Sequence, residues 1–283
     1  MKSFSGKVAA ITGAASGIGR ALAVDLARQG CHLALSDLNN AELEQTRALC
    51  QSASGIRATT KVLDVSDRQA VHDWAEQVVA DHGKVNLIFN NAGVAHAGSV
   101  AKSSYEDYAW IMNINYWGVL HGTKAFLPHL KAAPDGGHVI NISSIFGLFA
   151  QPSMSAYNST KFAVRGLTES LRQELDLEDA GVSASCVHPG GIKTNIARSA
   201  RMDDSLGELM GNQDNSQLQN QFEKLFRTTA DQAARTILKG VRRDKRRILI
   251  GPDAHAVDLM QRFLPTGYQR LVTTAIRRTT GRS

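Results

Sequence analysis

Cysteine is scarce, with three in 283 residues: Cys31, Cys50 and Cys186. They are scattered, odd in number and without metal-ligand spacing, so they read as buried thiols of a reducing compartment, and no metal site is expected. Long apolar runs are missing as well. No stretch approaches the ~20 apolar residues that cross a bilayer as a helix. The opening Met1-Lys2, followed by the apolar residues 8–11, imitates a signal peptide only faintly, because the run is short and Thr12-Gly13 interrupts it. A cytoplasmic location is the expectation. The sequence also lacks internal repeats, zinc-ligand spacing and an RNP-type aromatic motif, which argues against a nucleic-acid partner.

Hydrophobic residues make up 43% and charged residues 20% of the chain, as in an ordinary globular protein. The length suits one large α/β domain with a substantial core. The net charge of +6 is unevenly placed: from residue 224 onward fourteen Lys/Arg face four Asp, a net +10, which leaves −4 on the first 223 residues. A basic end can meet nucleic acid or anionic lipid, but a solvated basic surface is the simpler account.

Residues 7–12, KVAAIT, suit a fully buried parallel strand. They run into Gly13-Ala14-Ala15-Ser16-Gly17-Ile18-Gly19 and a helical pattern over 21–29, closed by Gly30. Glycines between strand and helix allow the tight turn, admit a pyrophosphate close to backbone N–H groups and let helix and strand pack closely. The spacing G-x-x-x-G-x-G is not the commonest dinucleotide fingerprint; its weight comes from the strand–loop–helix context. A second strand, 32–36, ends in Asp37, eighteen residues past Gly19. An acid there can accept hydrogen bonds from adenosine ribose hydroxyls and repels a 2′-phosphate. Neither Leu38 nor Ser16 supplies a cation for such a phosphate, so NAD is expected over NADP. The competing account of Asp37 is a turn cap ahead of Asn39-Asn40.

A helix over 41–51 leads to a strand over 57–63 that ends at Asp64-Val65, where Asp64 is either a partner of the adenine amino group or a plain loop carboxylate. Ser66 and Gln69 read as a capping box for a helix to about 81, which buries Val71, Trp74, Val78 and Val79. The strand over 86–89 ends in Asn90-Asn91-Ala92-Gly93. Successive strands thus end in polar or glycine residues at the edge where open parallel sheets bind ligands. Residues 104–128 read as one long helix. Asn115 within it is either a structural amide at a kink or part of a proton path.

A fifth strand, 138–142, delivers Ser143-Ser144. An apolar loop, 145–154, follows, and then Tyr157 and Lys161 appear four apart at the start of a helix that runs to about 177. That spacing stacks a phenol and an ammonium on one helix face. The cation favours the phenolate, so Tyr157 is expected to titrate below its ordinary value of about 10 and to exchange a proton with an alcohol or ketone. Ser144 can bond the same substrate oxygen. By itself Y-x-x-x-K also fits a surface pair on an amphipathic helix. If the 145–154 loop lines a pocket, the substrate is apolar.

A sixth strand, 182–187, ends in His188-Pro189-Gly190-Gly191-Ile192-Lys193-Thr194, a sharp turn exposing backbone groups and a hydroxyl to a carboxamide. The polar stretch at about 195–226 reads as a substrate lid, with a disordered excursion as its competitor. A helix over 229–241 and a seventh strand over 247–250 complete a domain spanning 1–252, dinucleotide-binding and catalytic. The remainder, 253–283, is a basic amphipathic extension that docks on its own domain or a second subunit in preference to a membrane.

Taken together and in order, T-G-x-x-x-G-I-G (12–19), N-N-A-G (90–93), Asn115, Ser144, Tyr157-x-x-x-Lys161 and Pro189-Gly190 resemble the short-chain dehydrogenase/reductase family over about residues 5–250. The resemblance implies a doubly wound Rossmann fold, a seven-stranded parallel sheet with helices on both faces. It also implies a catalytic tetrad of Asn115, Ser144, Tyr157 and Lys161, Ser144 being thirteen residues before the tyrosine. The coenzyme residues are then Gly13, Ser16, Gly17, Ile18, Gly19, Asp37, Asp64, Val65, Asn91, Ala92, Gly93, Tyr157, Lys161, Pro189, Gly190, Ile192 and Thr194. The expected reaction is hydride transfer between NAD(H) and a hydrophobic secondary alcohol or ketone, in a homo-oligomer, dimer or tetramer. An NADPH-dependent ketone or 3-oxoacyl thioester reductase is the alternative within the fold, and Asp37 argues against it. A non-catalytic dinucleotide-binding regulator or membrane scaffold is the alternative of another class, and the complete tetrad argues against that.

Overall fold

Strand and helix alternate along the chain because short, largely apolar or β-branched runs alternate with longer amphipathic stretches of up to 24 residues. The architecture was obtained as a computed structural model, which describes residues 1–51, 55–196, 198–203, 206 and 226–280. Seven strands form one parallel sheet: β1 (Val8–Thr12), β2 (His32–Asp37), β3 (Ala58–Val62), β4 (Leu87–Asn90), β5 (Gly137–Ile142), β6 (Val182–Pro189) and β7 (Arg247–Ile250). Their order is β7-β6-β5-β4-β1-β2-β3, so the chain reverses direction across the sheet between β1 and β4. This is the doubly wound Rossmann arrangement, and it opens a crevice beyond the carboxyl ends of β1 and β4.

Alternation along β1 assigns the two faces. Ala9 and Ile11 join Leu22 and Leu26 of α1 (Gly17–Arg28) and Ile237 and Val241 of α7 (Ala230–Arg242), with α2 (Asn40–Gln51) alongside. Val8 and Ala10 join the opposite layer of α3 (Arg68–His82), α5 (Gly118–Ala132) and α6 (Ser155–Glu178). There Trp74 meets Phe126 edge to face, ring centroids 5.1 Å apart. Period-two pleating therefore lets one strand contribute to both cores.

Several element ends differ from the sequence reading. Asp67, not Ser66, caps α3: its carboxylate accepts from the Ala70 N–H, while the Ser66 hydroxyl is bonded to Asp64. The helix expected over 104–128 is three pieces, α4 (Tyr105–Met112), a π-helical turn (Asn113–Trp117) and α5, which carries Pro128 inside it and ends at Ala132. A π turn inserts one residue into the helical ladder and rotates the side chains around it, and here it carries Asn115. Of two short parallel pairs, Ile192–Lys193 with Thr228–Thr229 flanks the segment expected as a lid, and His96–Ala97 with Arg201–Met202 ties its first part to the chain beyond β4. Most of that lid, 204–205 and 207–225, lies outside the described residues, as does Ala197. Beyond β7 the chain forms α8 (Pro252–Phe263) and α9 (Gly267–Thr280). All three cysteines are buried free thiols. Among the described residues no helix is long and apolar enough to cross a membrane.

Phe126 is fully buried against Trp74. Phe126→Ala is expected to lower unfolding free energy by about 3–5 kcal/mol, through lost transfer energy plus a residual cavity, read from urea denaturation.

Candidate active site

Tight turns at the carboxyl ends of β1 and β4 create the first half of the site. Gly13 has φ 65°, a left-handed conformation, and a Cβ there would stand 2.8 Å from Ala92 Cα. A Cβ on Gly19 would overlap the Gly13 carbonyl oxygen. The β1–α1 turn and the start of α1 are thereby packed to a separation only hydrogen allows. Thr12 and Asn91 lock this turn to the end of β4: Thr12 Oγ1 accepts from the N–H groups of Asn91 and Ala92 at 3.0 Å each, and Asn91 Nδ2 donates to the carbonyls of Thr12 and Gly13. Ser16, the N-cap of α1, makes no side-chain capping bond and its first turn holds no acid. The positive end of the helix dipole thus faces the crevice.

The second half is set by α6 and the π turn. Asn115 is fully buried; its Oδ1 accepts from Val94 N–H at 2.8 Å, and its Nδ2 donates to Val94 O at 2.9 Å and Thr160 Oγ1 at 3.2 Å. This amide ties the chain beyond β4 to α6. Ser144 is fixed through its backbone, where His188 Nδ1 lies 2.8 Å from the Ser144 carbonyl. That oxygen can only accept, so Nδ1 carries the proton, and burial pushes His188 down to about 4, leaving it neutral. Lys161 Nζ lies 5.4 Å from the Tyr157 ring centroid and donates to Ile142 O at 3.1 Å. A Cβ on Gly93 would stand 3.1 Å from Asn115 Oδ1 and 3.6 Å from Lys161 Nζ, so both groups converge on the end of the N-N-A-G turn.

The expected depression of Tyr157 is overturned. Burial pushes the phenol up to about 12, and its hydrogen bond with Ser144 offsets only part of this. Burial likewise pushes Lys161 down from 10.5 to about 8. Helical spacing does bring the pair together. Both groups are nevertheless withdrawn from water, and the cost of a buried charge sets both directions.

A cavity of about 770 Å³ joins the two halves. Every residue expected at the site lines it except Gly19 and Asn115, which act from behind the wall. Asp37, at the end of β2, accepts from the N–H groups of Ala15 and Asn39 at 3.0 Å each, so it caps its turn while facing the cavity. Asp64 accepts from Ser66 N–H at 2.9 Å. The 145–154 loop contributes Ile145, Phe146, Phe149 and Met154 to the wall, with Gln151 as its polar member. Val94, Ala95, Ile114 and Asp253 also line the cavity. Their sequence context carries no local signal; long-range packing brings them there.

A glycine loop, a reversal of strand order and a cleft at the carboxyl edge define the dinucleotide-binding class of α/β proteins. A model of the family described as short chain dehydrogenase matches residues 7–205, and the chain belongs to that family of oxidoreductases. SadH of Mycobacterium tuberculosis (strain ATCC 25618 / H37Rv), whose name alone marks it as an oxidoreductase, is 47% identical over 277 residues, covering 98% of this chain and 97% of that one. A short-chain dehydrogenase/reductase from Burkholderia phymatum, solved in complex with NAD, is 32% identical with a TM-score of 0.85, covering 94% of this chain and 96% of that one. A short-chain dehydrogenase from Mycobacterium paratuberculosis bound to NAD is 26% identical with a TM-score of 0.75, covering 88% and 97% respectively.

The folded Lys161 loses its proton near 8 and the unfolded one near 10.5, so between these values the unfolded chain binds more protons and this group's penalty shrinks as pH rises. Lys161→Met is therefore expected to stabilise the fold at pH 7 by about 1–3 kcal/mol, a gain that fades between about pH 8 and 10.5. Chemical denaturation of both proteins across that range reads the sign.

Proposed function

We propose that this chain transfers a hydride between NAD(H) and a hydrophobic secondary alcohol or ketone, with Tyr157 as general acid/base. One observation carries the reading: a single cavity runs from the Gly13 turn and Asp37, past Tyr157 and Lys161, to an apolar end at Phe146, Phe149 and Met154. The residues present fit a dinucleotide. Close packing at Gly13 and Gly19 leaves the uncapped first turn of α1 open to a pyrophosphate, which Gly13, Ser16, Gly17, Ile18 and Gly19 would hold. Asp37 would bond the adenosine ribose, Asp64 and Val65 would flank the adenine, and Asn91, Ala92 and Gly93 would back the nicotinamide ribose. The turn of Pro189, Gly190, Ile192 and Thr194 would meet the carboxamide. Two relatives of known structure hold NAD.

Preference for NAD over NADP follows from local charge. Asp37 would face the 2′ position, and the nearest arginine on α1, Arg20, is engaged by Glu42, Thr46 Oγ1 and the Ala15 carbonyl. A 2′-phosphate would meet a carboxylate and no available guanidinium there.

When bound, the coenzyme supplies the hydride acceptor or donor. The chain moves the proton. In ketone reduction Tyr157, held in its protonated form by burial, donates from its hydroxyl to the substrate oxygen while Ser144 Oγ holds that oxygen. Lys161, which would bond the nicotinamide ribose, stabilises the tyrosinate that forms and passes a proton back to it. Asn115 orders the water that reloads the lysine. Alcohol oxidation runs these transfers backwards and requires the Tyr157 proton to leave first along the same path.

Oxidation of a panel of secondary alcohols of increasing length, followed at the NADH absorbance, tests the reading; no turnover with any of them, and none with the matching ketones and NADH, counts against it. Tyr157→Phe is expected to lower kcat by about 10²–10⁴-fold while leaving NADH binding near its original strength, measured by steady-state kinetics and fluorescence titration. Asp37→Ala is expected to narrow the ratio of NAD to NADP affinities. A parent enzyme that already prefers NADP overturns the coenzyme assignment.

A further inference from the structure

The segment that leaves the last strand is tied to the cleft at two points. Gly251 turns the chain at φ 93° and α8 starts at Pro252. In its first turn Asp253 accepts from Gly191 N–H at 2.6 Å, and its carboxylate fills the space that a Cβ on Gly190 would need. Asp253 also forms part of the cavity wall. Fifteen residues on, Tyr268 of α9 is 6% exposed in a helix whose outer side faces water. Its hydroxyl accepts from Ala150 N–H at 3.2 Å. Its ring meets Phe149 edge-on at 5.9 Å, Phe149 lies 5.4 Å from Phe146, and Phe146 meets Tyr157 edge-on at 6.1 Å. Tyr268 stands behind Phe149, off the cavity surface, and an unbroken line of aromatic rings leads from it to the proposed acid/base.

We propose that Tyr268 and Asp253 are positioning residues of the cleft: Tyr268 fixes the apolar wall that receives the body of the substrate, and Asp253 fixes the Gly190-Gly191 turn against the coenzyme. The segment 252–280 is thereby a working part of the active site. This rests on the hydride-transfer reading above for what each wall receives, but the two tethers exist independently of it.

The chemistry of each tether sets the size of its effect. Ala150 is exposed, so water can replace the Tyr268 hydroxyl, and most of that residue's contribution lies in its ring. Gly191 is half-buried and its N–H faces a carboxylate, a charge-assisted bond. Losing the first bond is expected to matter less than losing the second. An amide oxygen at position 253 can accept from the same N–H, so Asp253→Asn retains most of what Asp253→Ala loses.

The experiment has three readouts on the full chain. In amide hydrogen exchange, Tyr268→Phe is expected to speed exchange at Ala150 and not at Gly191, and Asp253→Ala to do the reverse. In NADH titration by fluorescence, Asp253→Ala is expected to weaken binding about tenfold, Asp253→Asn about twofold, and Tyr268→Ala by less than about twofold. Across secondary alcohols of rising chain length, Tyr268→Ala is expected to raise KM about tenfold for the longest and much less for the shortest, with kcat changing less than KM. Tyr268→Phe keeps the ring and serves as the conservative control, expected within about threefold of the parent. Equal NADH affinity in the parent and Asp253→Ala overturns the coenzyme half. An alcohol-length profile unaltered by Tyr268→Ala overturns the substrate half. Uniform loss in all three readouts together with a lowered Tm marks a purely structural role and overturns both. If the parent turns over no alcohol or ketone in the series, the hydride-transfer reading falls, while the exchange readout still decides whether the tethers hold.

Discussion

A lysine that is 4% exposed is the constraint around which this molecule is built. Transfer of an ammonium from water into a protein interior is costly unless other groups replace its hydration. Here a carbonyl at the end of β5, Ile142 O, accepts one of its protons, and the tyrosine ring one turn earlier stands within reach of its charge. The lysine is left close to the point where it gives up its proton near neutral pH, and the tyrosine is left firmly protonated. Perturbed groups of this kind gather at functional sites, and under the reading proposed above the pair serves as proton donor and relay.

Holding that pair requires rigid surroundings. Asn115 supplies part of the rigidity through three bonds that join Val94 to α6 at Thr160. It reaches them because the helix carrying it winds one π turn, at Asn113–Trp117, between two regular stretches. On the other side Thr12 and Asn91 bind the β1 and β4 turns to each other, so the glycine loop and the N-N-A-G turn behave as one piece. The walls of the cleft are therefore set largely by backbone geometry at the strand ends, the edge at which open parallel sheets bind ligands.

The legible part of this design was local or periodic. KVAAIT, the glycine loop and Asp37 lie within thirty-one residues, and Tyr157 and Lys161 within five, so their placement beside one another follows from spacing alone. What spacing could not convey was the electrostatic environment. Proximity of a cation suggested a lowered phenol; burial, which depends on the whole packed fold, reversed the direction. Helix ends failed for a similar reason, since Ser66 and Asp67 are both good caps and only the competing bond to Asp64 decides between them. The π turn left no mark in the pattern because one inserted residue shifts the apolar period too little to register beside two amphipathic helices.

The tail shows where reading by composition stops. Arg270, Leu271, Arg277 and Arg278 mark the face of α9 that water sees, whereas Tyr268 and Val272 lie on the other and pack with the 145–154 loop. Contacts separated by more than one hundred residues, such as Tyr268 with Ala150, have no periodic signature in the sequence. They matter here because the β5–α6 loop is held at its start by Ser144 and at its end by α6, with an exposed Ala150 between. A support for that middle has to come from outside the local chain, and α9 provides it from the end of the described residues. The same cleft is thus lined by the turns of the first strands on one side and, on the other, by a loop that α9 backs.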